Sequence, residues 1–301
     1  MPQWDPEVTV DPTLAHALIA GQFPQLADLP VRPFDAGWDN TVFRVGDDLL
    51  FRFPRREIAV PGVRREIAVL GRLAPHLPLP IPVPLHVGAP ALGFPWPWFG
   101  APHLPGVGLM TTGLPFEDRA AVGAALGEFL RALHSPVLAA EVGEGLPPDP
   151  TRRADMPYRV ALTRARLHEL AEAGEWIDDA ATHALLDAAA TLPPSSGRAV
   201  LHGDLHAAHV LVAGDAVTGV IDWGDLCVGD PAIDLSIAFG ALAGPSRAAF
   251  LAARGPLDAA TELRARTIAV TLAAILLAYA IDQDLPHVAA ECRRALVAAV
   301  R

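Results

Sequence analysis

Short apolar runs at Thr41–Val45 and Leu49–Phe53, parted by Gly46-Asp47-Asp48, predict a β-hairpin early in the chain. After Pro61 and Gly62 the period changes. In VRREIAVLGRL the residues Val63, Ile67, Leu70 and Leu73 recur at helical spacing, which predicts a helix with one buried face. The stretch from Pro75 to Pro105 is too proline-dense for a continuous helix, so short edge strands and a crossing connection are expected there. From about Phe116 helical patterns dominate, in EDRAAVGAALGEFLRALH, PYRVALTRARLHELAEA and DDAATHALLDAAATL. A hairpin interrupts them at 198–222, and helices then resume. The pattern predicts a small strand-rich lobe and a larger helical lobe, divided near Leu104–Gly108.

Composition narrows the function. With 301 residues, 51% of them hydrophobic, the chain can bury a large core, which excludes a disordered or fibrous protein. Its 34 acids against 23 basic residues leave a net charge of −11, which argues against a nucleic-acid partner. No lysine occurs, so every fixed cation is an arginine. Cys227 and Cys292 are too few for a disulfide framework, and no CxxC exists; both point to a reducing cytoplasm. The opening MPQWDPEVTVDP carries acids and prolines where a signal peptide needs a basic start and an apolar run. The most apolar stretch, Ile268–Ile281, is about 14 residues, short of a bilayer span, and reads as a buried core helix. A soluble protein without a membrane partner is expected.

Candidate chemistry concentrates in LHGDLHAAHVLVAGDAVTGVIDWGDLCVGDPAIDLS, Leu201–Ser236. Strands at His209–Ala213 and Thr218–Asp222 would flank a turn at Gly214-Asp215, and antiparallel pairing would set His209 opposite Asp222. Asp204 lies on a loop at the same open end. Two carboxylates and an imidazole then converge at one mouth. Phosphoryl transfer needs such a mouth: an acceptor for the hydroxyl proton and ligands for the ions that neutralise the phosphates. His202 reads as a scaffold for the loop, and Cys227 as a small buried apolar group. Asp230 before Pro231 reads as a helix cap. Asp234 either hydrogen-bonds the Asp204 loop or is a surface acid complementing a helix dipole.

HGDLHAAHVL followed by VIDWGDLCVGDPAIDL resembles the core of the aminoglycoside/macrolide phosphotransferase family, small-molecule kinases with a protein-kinase-like fold. GWDNTVFRVGDDLLFRFPRRE is similar to that family's nucleotide-covering hairpin. The likeness runs from about residue 34 to the C-terminus and is weakest at 140–195. It implies an α+β, two-lobed fold with the nucleotide in its cleft. Residues 1–104 would form a small antiparallel-sheet lobe with one helix and a hinge at its end, and 105–301 a mainly helical catalytic and substrate-binding lobe.

The resemblance also implies roles. Asp204 corresponds to the catalytic base and Asp222 to the magnesium ligand. His209 stands where many members have asparagine, and in this the chain is nearest to the macrolide kinases. As a nitrogen donor it would bind magnesium less well and tolerate manganese; a loop-packing histidine is the alternative. Arg52 takes the place of the family's phosphate-holding lysine, with Glu66 as its partner, although Arg55, Arg56 and Glu57 compete and an exposed salt bridge is the plainer reading. The turn Ala36–Thr41, with Gly37, Asp39, Asn40 and Thr41, would lie over the phosphates. Trp98–His103 would be the hinge, with Ala101 and His103 offering backbone groups to the purine; His103 reads equally as a linker residue, and Trp96 and Trp98 as core.

The activity implied is transfer of the γ-phosphate of ATP or GTP, with Mg2+ or Mn2+, to a hydroxyl of a small molecule such as an antibiotic. The segments Met156–Leu192 and Thr261–Val300 are rich in apolar residues, and acids such as Asp178 and Asp179 stand at helix starts. A macrolide is therefore favoured over an aminoglycoside. The alternatives are a housekeeping kinase of a small alcohol and a catalytically weak nucleotide-binding protein.

Overall fold

Asp11 opens the first helix, α1 (Pro12–Gln22): its Oδ1 accepts the Leu14 amide at 2.8 Å, and Pro12 occupies the first turn. The computed structural model describes residues 6–37 and 39–301. Trp38 of the expected phosphate turn and the first five residues of the opening stretch lie outside them. Strands β1 (Val31–Ala36), β2 (Asn40–Val45) and β3 (Leu49–Pro54) follow. The β2–β3 turn needs Gly46, whose φ of 59° is left-handed. The proline-rich stretch supplies β4 (His86–Gly88) and β5 (Trp98–Pro102), and the antiparallel sheet runs β1-β2-β3-β5-β4. Of the two proline-rich strands only β4 is at the edge. β5 lies inside the sheet, because its one proline is its last residue and removes no interior ladder bond. Phe43, Phe51, Phe53 and Trp98 pack with Leu18 and Ile19 of α1 into a core.

The helix α2 spans Val60–Leu73 and so begins before Pro61, not after Gly62. Proline is tolerated there because the first turn needs no N–H donor. Val63, Leu70 and Leu73 face inward, and Glu66 is buried on the same helix.

Contacts divide the molecule into two units. One holds the described residues up to Pro75 together with Pro80–Leu104, and the other His76–Leu79 with Pro105–Arg301. The second unit begins with β6 (Val107–Gly108) and the helices α3 (Ala120–Leu133), α4 (Pro136–Val142), α5 (Met156–Glu172) and α6 (Ala180–Ala190). The strands β7 (Ala199–Leu201), β8 (Val210–Ala213), β9 (Ala216–Val220) and β10 (Cys227–Gly229) come next. The helices α7 (Ala232–Leu235), α8 (Ile237–Gly240), α9 (Gly244–Arg254), α10 (Ala259–Asp282) and α11 (Pro286–Val300) complete it.

Two expectations change here. Residues 198–222 are not one hairpin: β7 pairs with β10, while β8 pairs with β9 and β6. The β8–β9 turn is only Gly214-Asp215, with Ala213 opposite Ala216 and an irregularity between Leu211 and Val212. That register sets His209 against Ile221, whose amide donates to the His209 carbonyl at 2.9 Å, rather than against Asp222. The apolar run at 268–281 belongs to the 24-residue α10, which by length and composition alone could cross a membrane. The run was too short only because the polar first turns, capped by Asp258, were not counted with it. With 56% of its most apolar window buried, and α5, α6, α7, α8 and α11 packed on it, α10 is a core helix.

Candidate active site

The loop between β7 and β8 is fixed from below. Asp234 on α7 is fully buried and accepts the amides of His202 (2.8 Å) and Gly203 (3.0 Å), while His134 Nε2 lies 3.1 Å from its Oδ2. Asp234 thus binds the loop and is not a surface acid. Asp230 accepts the Ala232 amide at 2.8 Å and caps this short helix. His202, also buried, presents Nε2 to the Ile221 carbonyl at 2.9 Å and so ties the loop to the chain leaving β9. Gly203 has φ +89°, and a Cβ there would run into the Asp225 carbonyl, so no other residue fits. Asp204 follows and is held at the bend.

His209 Nδ1 lies 2.8 Å from the Asp204 backbone carbonyl. A carbonyl only accepts, so Nδ1 carries the ring proton and Nε2 the lone pair. That Nε2 lies 3.5 Å from Asp222 Oδ2. Asp222 adopts φ +66°, a left-handed conformation that re-aims the chain just past β9. The side chains of Asp204, His209 and Asp222 therefore do converge, although the strand register differs from the one expected. Asp204, His206 and His209 offer three donor atoms within 4.8 Å of one another.

Sequence reasoning missed Arg153. It sits on the loop before α5, where Asp149 accepts its amide, and its Nη2 reaches Asp204 Oδ1 at 3.2 Å and Asp225 Oδ2 at 2.5 Å. Burial works to raise the Asp204 carboxyl, but His206, Arg153 and His209 outweigh it and hold the group below the usual carboxylate value. Burial drives His206 down to about 3, so Arg153 is the permanent charge beside Asp204. A cavity holding Asp204 is lined by Arg153, Arg159, Leu205, Ile268 and Ile275. A second, which shares Leu205 and Leu272 with it, is lined by His206, Met110, Ala269 and Leu276. No local signal marks Arg153, 51 residues from Asp204 in the least motif-rich part of the chain; His206 was visible as the first histidine of HAAH.

In the first unit, Arg52 Nη1 and Glu66 Oε1 form an ion pair of 2.7 Å whose side chains are only 13% and 1% exposed. The pair is buried, not a surface bridge. The competing arginines are engaged elsewhere: Arg55 donates to the Gly37 carbonyl at 2.6 Å and Arg56 to Asp39 Oδ1 at 2.5 Å. Gly37 closes the turn by donating to the Asn40 carbonyl at 3.0 Å, and Thr41 pairs with both Ala36 and Phe53. Ala101 is buried beside Val63 and Phe99 and pairs with Leu50, while β4 pairs with β5 only at Trp98–Gly100. The His103 amide is already used, donating to the Asp48 carbonyl at 2.8 Å, and its ring meets Phe34 edge-on. Burial and then the Arg44 charge push the His103 imidazole below its ordinary value, against Asp48.

A five-stranded antiparallel sheet with the helices α1 and α2, and a helical unit carrying a carboxylate loop beside an imidazole–carboxylate pair, define a protein-kinase-like phosphotransferase. The chain belongs to the phosphotransferase enzyme family, whose model matches residues 30–268. No curated protein matches the sequence significantly. Solved structures share the fold. The GDP and kanamycin complex of APH(2")-IIia superposes with a TM-score of 0.70 at 20% identity, covering 95% of this chain and 97% of that one. The macrolide 2'-phosphotransferase MphH from Brachybacterium faecium gives 0.61 at 23% identity over 95% and 97%. A spectinomycin phosphotransferase complexed with ADP and spectinomycin gives 0.61 at 13% identity over 96% and 94%.

Proposed function

We propose that this phosphotransferase moves the γ-phosphate of ATP or GTP to a hydroxyl of a small molecule, and that it takes an apolar, macrolide-like acceptor in preference to a polycationic aminoglycoside. The reading rests on Asp204: a carboxylate held ionised, fixed on a loop that Asp234 anchors, and facing an apolar-walled cavity. The acceptor hydroxyl hydrogen-bonds to this carboxylate, which receives its proton as the new P–O bond forms. Arg52, set by Glu66, holds the donor phosphates in place of lysine, and the turn at Gly37 and Asp39–Thr41 supplies backbone contacts to them. The strand-free edge of β5 at Ala101 and His103 receives the purine. Residues 1–104 then serve the nucleotide, and 105–301 carry catalysis and the acceptor.

His209 Nε2 and the Asp222 carboxylate suit a divalent ion, magnesium with manganese tolerated, because a lone pair and an anionic oxygen stand 3.5 Å apart. When bound, such an ion neutralises phosphate charge. The acceptor preference follows from the cavity walls. Leu205, Ile268 and Ile275 suit an apolar face, and Arg153 already occupies the Asp204 and Asp225 carboxylates that an ammonium group would need. Relatives solved with GDP and with ADP support a purine nucleotide donor. Both thiols are buried and free, and burial pushes Cys292 up to about 12, which fits a reducing cytoplasm.

Asp204→Asn is expected to lower kcat at least about a hundredfold in a macrolide phosphorylation assay while nucleotide affinity stays near normal. Wild-type turnover in that variant would overturn the mechanism. Kanamycin phosphorylated with kcat/KM above about 10⁴ M⁻¹s⁻¹ would reject the acceptor preference alone.

A further inference from the structure

We propose that Asp204, His206 and His209 form a binding site for a divalent cation of the zinc class, and that such an ion inhibits the enzyme by occupying the Asp204 carboxylate. The three donor atoms already lie within 4.8 Å of one another, and Asp222 Oδ2, outside that group, lies 3.5 Å from His209 Nε2. The outer contacts are those a metal site uses. His209 gives its Nδ1 proton to a backbone carbonyl at 2.8 Å, the arrangement that aims the other nitrogen of a ligating histidine. Arg153 holds Asp204 by Oδ1, while Oδ2 lies 3.8 Å from His206 Nε2. His206 Nδ1 accepts only a long bond, 3.3 Å, from the Ala208 amide. Ligation through Nε2 moves the ring proton to Nδ1 and gives up that one contact. Two imidazoles and one carboxylate, with water in the fourth position, match a tetrahedral zinc or cobalt ion, and the nitrogen donors select against magnesium.

The binding claim stands on this geometry; the inhibition rests on the reading of Asp204 as base, so the two are measured apart. The full-length chain without nucleotide is titrated with Co2+, followed by its visible absorption, and then with Zn2+ in competition with a chromophoric chelator. One ion per chain is expected, with the bands of tetrahedral cobalt. His206→Ala and His206→Gln are expected to weaken zinc at least about tenfold, with thermal unfolding confirming that both variants fold. Equal zinc affinity in wild type and both folded variants, or no cobalt band, overturns the site. In a phosphotransfer assay with excess Mg2+, one equivalent of Zn2+ is expected to stop wild-type turnover and to spare the residual turnover of His206→Gln. Tight zinc binding with undiminished turnover would leave the site standing and overturn both the inhibition and the role of Asp204.

Discussion

Arg52 and Arg153 each hold a carboxylate central to the proposed reaction, yet their settings differ. Arg52 faces a Glu66 that is nearly wholly buried on the inner side of α2. Arg153 is shared among Asp204, Asp225 and, at 3.9 Å, Asp149, and the first two of these acids are 29% and 34% exposed. A buried pair couples charge to folding, because losing one member leaves the other desolvated. A shared, half-wet cluster couples charge to geometry: water can replace the charge of the lost partner, but not its fixed hold on one carboxylate oxygen. One arginine should therefore matter first to stability and the other first to turnover.

The largest effect is expected at Arg52. Arg52→Ala leaves the Glu66 carboxyl buried without this guanidinium, and should cost about 3 kcal/mol of stability, read as a fall in the denaturant midpoint at unchanged m-value. Nucleotide affinity should fall with it. Arg52→Lys should recover part of both, because an ammonium restores the charge but not the planar fork. A variant as stable as wild type would show that the pair contributes nothing and would erase the contrast with Arg153.

The difference between the two arginines is also a difference in what could be read from the chain. Arg52 stands fourteen positions from Glu66, on a strand and a helix that the apolar pattern predicts, but their pairing is what the family resemblance implies. The convergence of Asp204, His209 and Asp222 was legible in the chain itself: one loop and one hairpin carry all three. Register was not, because a two-residue turn compensated by an irregularity cannot be told from a longer turn by apolar pattern alone. Arg153 was invisible. Its contact with Asp204 is made by tertiary packing of a loop on which neither period 2 nor period 3.6 operates, and Arg152 beside it adopts φ +56°, a conformation the sequence does not announce. The start of α2 was hidden by a rule applied one position too strictly, since proline ends helices but also begins them.

Turnover should respond to Arg153 in the opposite proportion. Arg153→Met removes the contact that orients Asp204 Oδ1, and is expected to reduce kcat about tenfold with little change in the KM for nucleotide. Stability should move by about 1 kcal/mol or less, since the freed carboxylates are partly hydrated. Arg153→Lys, which keeps a cation within reach of Asp204 or Asp225 but not both, should fall between. A loss of folding larger than that of Arg52→Ala would reverse the comparison.

The smallest effect is expected at Arg56, which sharpens the contrast from the exposed side. Arg56 donates to Asp39 at 2.5 Å, a shorter contact than the Arg52–Glu66 pair, so distance alone would rank it higher. Burial reverses the ranking. Asp39 is 51% exposed in its side chain against 1% for Glu66, so its charge is screened by water whether or not the arginine is present. Arg56→Ala should therefore change stability by no more than about 0.5–1 kcal/mol, within the range of exposed pairs, and the change should shrink further in high salt. Nucleotide affinity supplies the second reading, because Arg56 competes with Arg52 in sequence for the phosphates. If Arg52 is the phosphate-holding residue, Arg56→Ala binds ATP or GTP almost as wild type does in a titration where Arg52→Ala fails. Equal losses in both variants would mean that the triphosphate is held by the β2–β3 arginines as a group, and the buried pair would then keep only its part in folding.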